Sequence, residues 1–234
     1  NDTIIGSQFE DWAIGDEATI TFVTDPVALN VLSEVRSLEG NHGTADSIDV
    51  GDGNNFVMGG PGADSITAAD GVNTIIGDEG VFSIDSDAEF LSAESLYPAT
   101  GSADSFDLGE GVYRVIAGAG DENIEVGPGE NYIIGDAGRV QVNSNGTITV
   151  ESIAPEVEGQ NQISVSEGFN VIIGGSGTDS VSATPAQGNV ETDAIAYVIG
   201  DNGSMLLAAD GALISMTSLA NDASGASDSI QLTS

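Results

Sequence analysis

The chain has no lysine and no cysteine, and only one histidine and three arginines in 234 residues. Against these stand 38 acidic side chains, a formal net charge of −35. Repulsion alone argues against a nucleic acid or an anionic membrane surface as a partner. The same charge opposes compaction unless cations neutralise it. The missing cysteine excludes a disulfide framework and leaves the compartment open. Aromatic residues make up 5%, too few for a bulky globular core. Yet 40% of the chain is apolar, mostly Ile, Val and Ala, which suits a thin β core and argues against disorder. No run reaches the roughly 18 apolar residues of a spanning helix, so no membrane insertion is expected. The sequence opens at Asn1 with neither Met nor a signal segment, and reads as an excerpt or a processed product.

Catalytic groups are equally scarce. His42 lies in the turn-like NHGTAD and reads as a surface turn residue. There is no lysine or cysteine nucleophile, and no Ser/His/Asp set in a workable arrangement. GDGNN and GPGEN are glycine-rich but lack the lysine and following helix of a phosphate loop. The expectation is a protein that is not an enzyme.

What is present is a period. Residues 46–81 divide into DSIDVGDGN, NFVMGGPGA, DSITAADGV and NTIIGDEGV. Asp46, Asn55, Asp64 and Asn73 fall nine apart, and a β-branched apolar residue follows two places after each: Ile48, Val57, Ile66 and Ile75. Nine residues cannot hold a strand, a return and a second strand. Two nonamers, 18 residues, make one coil of a flattened solenoid with two parallel sheets. The predicted class is all-β, a β-solenoid of 18-residue coils. Residues eighteen apart would stack at about 4.8 Å.

A longer period overlies this one. ADSIDV, ADSFDL, QNQISV and SDSIQL place Asp46, Asp104, Asn161 and Asp228 at spacings of 58, 57 and 67, the last enlarged by an apparent insertion at 187–194. AIGDEA, IIGDEG, IIGDAG and VIGDNG recur at 13–18, 75–80, 133–138 and 198–203. The blocks are 1–45, 46–103, 104–160 and 161–227, with 228–234 beginning a further one. After each IGD phrase the nonamer fades. Apolar alternation around Ser144-Asn145-Gly146 and around Asp210-Gly211 signals inserted β-hairpins. The segments 18–40 and 81–99 signal them less clearly.

GGPGAD at 59–64 recurs as GGSGTD at 174–179. These hexamers resemble the repeat-in-toxin (RTX) calcium-binding nonapeptide, G-G-x-G-x-D-x-U-x, which implies a parallel β-roll. IGD-x-G followed by an excursion is similar to very large bacterial extracellular proteins with RTX-like arrays. The resemblance implies calcium held by carbonyls and carboxylates of stacked turns, and an extracellular location. Glycine permits the φ > 0 turn and close carbonyl approach, and hard Ca²⁺ selects oxygen.

The metal set so implied is Asp46, Asp64, Asp104, Glu122, Asp179 and Asp228, with turn glycines Gly60, Gly62, Gly175 and Gly177. On this edge Asp46 stacks over Asp64, Asp104 over Glu122, and Asn161 over Asp179. On the other edge Asn55 stacks over Asn73 and Tyr113 over Asn131, with Asn170 alone. Turn preference explains Asp and Asn in general but not this asymmetry. The first edge is therefore read as the calcium edge and the second as an Asn ladder, although Asp52 and Asp70 keep metal open there. Asp46 and Asp64, about 4.8 Å apart, suit a shared cation better than a glycosidase pair.

The IGD aspartates, Asp16, Asp78, Asp136 and Asp201, stand where the hexamer has its second glycine. Counting on, the ligand position falls on Ile20, Phe82, Val140 and Met205, so this turn is expected to lack its closing carboxylate. The IGD aspartates either supply a ligand or bond free turn amides; both readings stay open.

The faces differ as well. Outward pairs on the carboxylate-edge strands are polar, such as Ser47/Asp49. Those on the Asn-edge strands form an apolar stripe, from Trp12/Ile14 through Tyr132/Ile134 to Tyr197/Ile199, too long to stay exposed. The hairpins are the nearest cover and another chain the second. The functional expectation is a structural segment of a secreted fibre, surface layer or large adhesin. Its expected partners are copies of itself end to end in a filament, or the continuation of a longer chain. One rival is the calcium-binding accessory module of a secreted enzyme. Another is an ice or glycan binder using a flat face, though regular Thr pairs for ice are absent.

Overall fold

The computed structural model describes residues 1–23, 31–39, 43–85, 89–155, 159–183, 195–219 and 227–232. His42, the insertion at 187–194 and the last two residues lie outside them. Three sheets lie in layers. The first has eight parallel strands: Thr3–Ile5, Ser47–Asp49, Ser65–Ala68, Ser105–Leu108, Asn123–Val126, Gln162–Val165, Ser180–Ala183 and Ser229–Leu232. The second has seven: Trp12–Ile14, Phe56–Met58, Gly71–Ile76, Gly111–Ile116, Gly129–Ile134, Gly168–Ile173 and Ile195–Ile199. The chain alternates between them, as the paired nonamers require. No helix appears among the described residues.

The strands follow from the local pattern. In the six inner strands of the first sheet alternate side chains are buried, and Ile48, Ile66, Phe106, Ile124, Ile163 and Val181 align in one inward row. That row meets Ala13, Val57, Ile75, Val115, Ile133 and Ile172 of the second sheet in a thin core. Ser47, Ser65 and Ser105 face water on the other side. The second sheet is buried on both faces, which is why its strands read as unbroken apolar runs such as YII and VII.

The hairpins form the third layer. Strands Ala18–Val23, Val31–Ser37, Gly80–Ile84, Phe90–Ser95, Gly138–Val142, Ile148–Ser152, Gly203–Leu207 and Leu213–Ser218 join into one antiparallel sheet. Successive hairpins pair edge to edge: Ala93 lies opposite Val140, and Val150 opposite Met205. Val35, Phe82, Ala93, Val140, Val150 and Met205 form its inward row, each at most 1% exposed. They cover Met58, Ile76, Ile116, Ile134, Ile173 and Ile199 in a second core. The hairpins of this same chain therefore cover the apolar stripe. Two of the three arginines lie on the outer face of this layer, where Arg139 pairs with Glu151 and Glu94.

Two stacking expectations need correction. Asn170 is not alone, because stacking runs on across block boundaries: Asn131 Nδ2 donates to Asn170 Oδ1 at 2.8 Å. Three of the four IGD turns do not lack their closing carboxylate. The hairpin is inserted inside the turn, and the chain returns to close it with Asp46, Asp104 or Asp228; the Asp136 turn closes on Asn161, so there the carboxylate is absent as expected. Phe82, Val140 and Met205 belong instead to the inward row of the hairpin sheet, and Ile20 continues that row on the outermost strand, where it is exposed.

Candidate metal centre

Each coil brings its edge residue to the same height as one strand of the first sheet, so the acidic side chains form a column. One oxygen of each accepts a backbone N–H from the coil before it. Asp46 N–H donates to Asp64 Oδ1 at 2.7 Å, Asp64 N–H to Asp104 Oδ1 at 2.8 Å, and Asp104 N–H to Glu122 Oε2 at 2.6 Å. Glu122 N–H then donates to Asn161 Oδ1 at 3.0 Å, Asn161 N–H to Asp179 Oδ1 at 2.8 Å, and Asp179 N–H to Asp228 Oδ1 at 3.1 Å. Asp2 N–H starts the series on Asp46 Oδ1 at 2.6 Å.

The second oxygen is the informative one. Asp46 Oδ2, Asp64 Oδ2, Asp104 Oδ2, Glu122 Oε1 and Asp179 Oδ2 are buried and accept no hydrogen bond. They converge with main-chain carbonyls. A Cβ added to Gly15 would lie closer than 3.0 Å to both Asp46 Oδ2 and Gly59 O. The same holds at Gly59 for Asp64 Oδ2 and Gly77 O, at Gly77 for Asp104 Oδ2 and Ala117 O, and at Gly174 for Asp179 Oδ2 and Gly200 O. The carboxylate oxygen and the carbonyl lie close together there, and no donor meets the carboxylate oxygen. A buried, unpaired carboxylate oxygen is costly unless a cation or a proton meets it. The glycines are needed because any side chain would fill this cradle.

Burial drives Asp64, Asp104, Glu122 and Asp179 upward. Desolvation is the largest cause at each: Asp64 is raised to about 7, Asp104 to about 10, Glu122 to about 8 and Asp179 to about 6. Neighbouring carboxylates, in the column and beside it, add to it. A divalent cation reverses both effects. The donor set of carboxylate and carbonyl oxygen is the one Ca²⁺ selects. Among the described residues no three His, Cys, Asp or Glu side chains group as a metal site. Backbone oxygen therefore has to complete any coordination here.

The IGD aspartates do a second job. Asp78 Oδ2 accepts Ala119 N–H at 2.5 Å, and Asp136 Oδ2 accepts Ser176 N–H at 2.5 Å. They cap amides of the next turn, the second of the two readings. Burial raises Asp78 to about 9 and Asp136 to about 7. Asp78 Oδ1 remains buried without a donor, so its ligand role stays chemically open. At Asp16 the equivalent position is Pro61, which has no N–H, and Asp16 Oδ2 is likewise buried without a partner. Asp201 is half-buried and raised by desolvation and then by Asp228. Gly60 and Gly175 take φ of 98° and 115° against the Asp16 and Asp136 carboxylates. Gly62 and Gly177 pack on the backbone of Thr44 and Gly159.

The level of Glu122 departs from the rest. Ala117 stands where the others have glycine, and its methyl group occupies the cradle. The longer Glu122 side chain carries its free oxygen to Gly120 instead. The glycine and alanine carbonyls were not singled out from the sequence, because a carbonyl leaves no residue-type signal.

On the opposite edge Asn55 Nδ2 donates to Asn73 Oδ1 at 2.8 Å. Tyr113 separates this pair from Asn131 and Asn170, its hydroxyl donating to the Ala69 carbonyl. The ladder is two pairs rather than one column.

Residues 49–81, 116–139 and 157–184 match the RTX calcium-binding nonapeptide repeat, in four copies. No curated protein and no solved structure matches the chain. The matched segments contain the direct turns 59–64, 117–122 and 174–179, where the column is built. What such repeats bind is calcium, and the chain carries these calcium-binding repeats in a β-roll with an antiparallel hairpin sheet laid along its flank.

Proposed function

We propose that the module is a structural segment of a secreted extracellular array (a fibre, a surface layer or a large adhesin) and that it has no catalytic role. One observation carries this reading. All three sheets run through the described chain from its first strands to its last, so the repeats form one continuous body. RTX repeats are typical of secreted bacterial proteins, which supports an extracellular setting. Calcium is plentiful there, and modules with Kd of roughly 10⁻⁴–10⁻³ M fill.

The outermost strands support extension. Ile5 and Phe9 are 79% and 77% exposed at one end, and Ile230 and Leu232 are 44% and 55% exposed at the other. Unpaired strand edges beside exposed apolar side chains are a template for another coil. With calcium, light scattering from the 234-residue chain is expected to rise with concentration as copies join head to tail. A stable monomer at high concentration would rule out self-assembly.

The column makes a sharper demand. Asp64→Ala and Asp179→Ala are each expected to weaken calcium binding more than Asn73→Ala or Asn131→Ala. The first two remove a charged ligand, the others a hydrogen bond worth about 1 kcal/mol. Equal losses in calorimetric titration would remove the distinction between the edges.

A further inference from the structure

Asn161 stands in the acidic column but is not acidic. It is fully buried, at 0% exposure. Its Oδ1 does what each carboxylate above and below does, accepting Glu122 N–H from the preceding coil at 3.0 Å. Its other atom differs. Nδ2 donates to Gly174 O at 3.1 Å and to Asp136 Oδ1 at 2.8 Å. The orientation of the amide is fixed by these partners, since one end meets a donor and the other meets two acceptors.

The place Nδ2 occupies is the telling one. A Cβ on Gly135 would meet Asn161 Nδ2 and Gly174 O closer than 3.0 Å. That is the relation in which Gly59 stands to Asp64 Oδ2 and Gly77 O, and Gly77 to Asp104 Oδ2 and Ala117 O. At those levels two oxygens face each other and need a positive charge between them. At Asn161 an N–H group already bridges the carbonyl and a carboxylate. The acceptors a cation would need are taken, and the NH₂ group would repel it.

We infer that the Asn161 side-chain amide takes the cation's place at its level, dividing the calcium column into two groups that load independently. One group is built on Asp46, Asp64, Asp104 and Glu122. The other is built on Asp179 and Asp228. The inference rests on the calcium-binding reading of the column. Within a group, neighbouring levels share turns and load together. Across Asn161 they do not, because that level has the same hydrogen bonds whether calcium is present or not. The chain thus carries one rung that joins blocks 104–160 and 161–227 without metal.

The test counts ions. Native mass spectrometry of the full 234-residue chain at saturating calcium gives the number bound to the wild type. Asn161→Asp keeps the Oδ1 acceptor and replaces the amide nitrogen by a free carboxylate oxygen. It is expected to bind one more calcium and to merge two titration phases into one. An unchanged count, with the β-sheet circular dichroism of the calcium-loaded wild type intact, would overturn the inference. Asp64→Asn and Asp179→Asn are the converse changes and do not depend on the first variant folding. Each is expected to lose one calcium and to weaken only its own group. Weakening of the opposite group would show coupling through Asn161 and would also overturn it. Absence of calcium from the wild type is a separate result, and removes the calcium reading of the column before any variant is made.

Discussion

In excess chelator at pH 7 this chain is expected to lose its β-sheet circular dichroism, and to regain it without metal on acidification to about pH 4. The first half follows from the column. Asp64, Asp104 and Glu122 are at most 2% exposed, and each carries an oxygen with no donor. Raised to about 7, about 10 and about 8, they hold protons in the fold that they release in the unfolded chain. The metal-free fold therefore binds more protons than the unfolded state once pH exceeds the unfolded values near 4. Its stability falls as pH rises from there through the folded values. A tenfold difference in proton affinity between the two states is worth about 1.4 kcal/mol, and several groups act together against a typical domain stability of about 5–15 kcal/mol. Self-repulsion from a formal charge of −35 works in the same direction. Below about pH 4 both penalties vanish, and a proton on Asp64 Oδ2 can point at the facing carbonyl. Calcium at neutral pH does the same by charge, so binding free energy becomes folding free energy. An unchanged spectrum in chelator at pH 7 and low salt would sink this account. So would a metal-free chain that stays unfolded in acid.

Gly77→Ala is expected to cost one calcium and about 1–3 kcal/mol of stability in the calcium-loaded protein. The added methyl group would press on Ala117 O, Asp104 Oδ2 and the ring of Phe106. Two of these are the oxygens of the cradle and the third is core, so no flexible end can move away. The chain also suggests the remedy. At the next level Ala117 occupies the glycine position, and Glu122 takes the place of aspartate with its free oxygen carried to Gly120. Adding Asp104→Glu to Gly77→Ala copies that pair and is expected to recover much of the loss. Calorimetric titration and thermal unfolding in calcium measure both variants. A single variant as stable and as fully loaded as the wild type would show that the cradle is not used. A double variant no better than the single would show that Glu122 does not work by displacement.

The nonamer carried most of the fold in plain sight. Ile48, Val57, Ile66 and Ile75 mark alternate sheets at fixed intervals, and Asp46 and Asp64 mark one edge. Local pattern sufficed because each coil repeats the one before. The hairpins were visible at Asn145-Gly146 and Asp210-Gly211, where turn chemistry is explicit. Their union into one sheet was not, because the pairing of Ala93 with Val140 is set by stacking elsewhere and has no local mark. Counting by nonamers past Asp78 led into the hairpin, at Phe82, because an insertion inside a turn cannot be told in sequence from the end of a coil. The carboxylates of the site were readable as residue types. Their carbonyl partners and the donor role of Asn161 Nδ2 emerged only when the coils were stacked.

The hairpin sheet also solves a problem of measure. Each complete block adds two strands to the first sheet, two to the second and two, antiparallel, to the third. Strand spacing is about 4.8 Å in every case, so each layer gains about 9–10 Å per block. The three layers are commensurate. An excursion of one strand or of three would make the flank grow at a different pitch from the coils. The difference would accumulate along the stack as shear between Phe82 or Val140 and the apolar rows they cover. Hairpin tips can lengthen freely, since they lie beyond the pairing, but the number of excursion strands cannot change. A stack built on this rule can repeat without accumulating misfit.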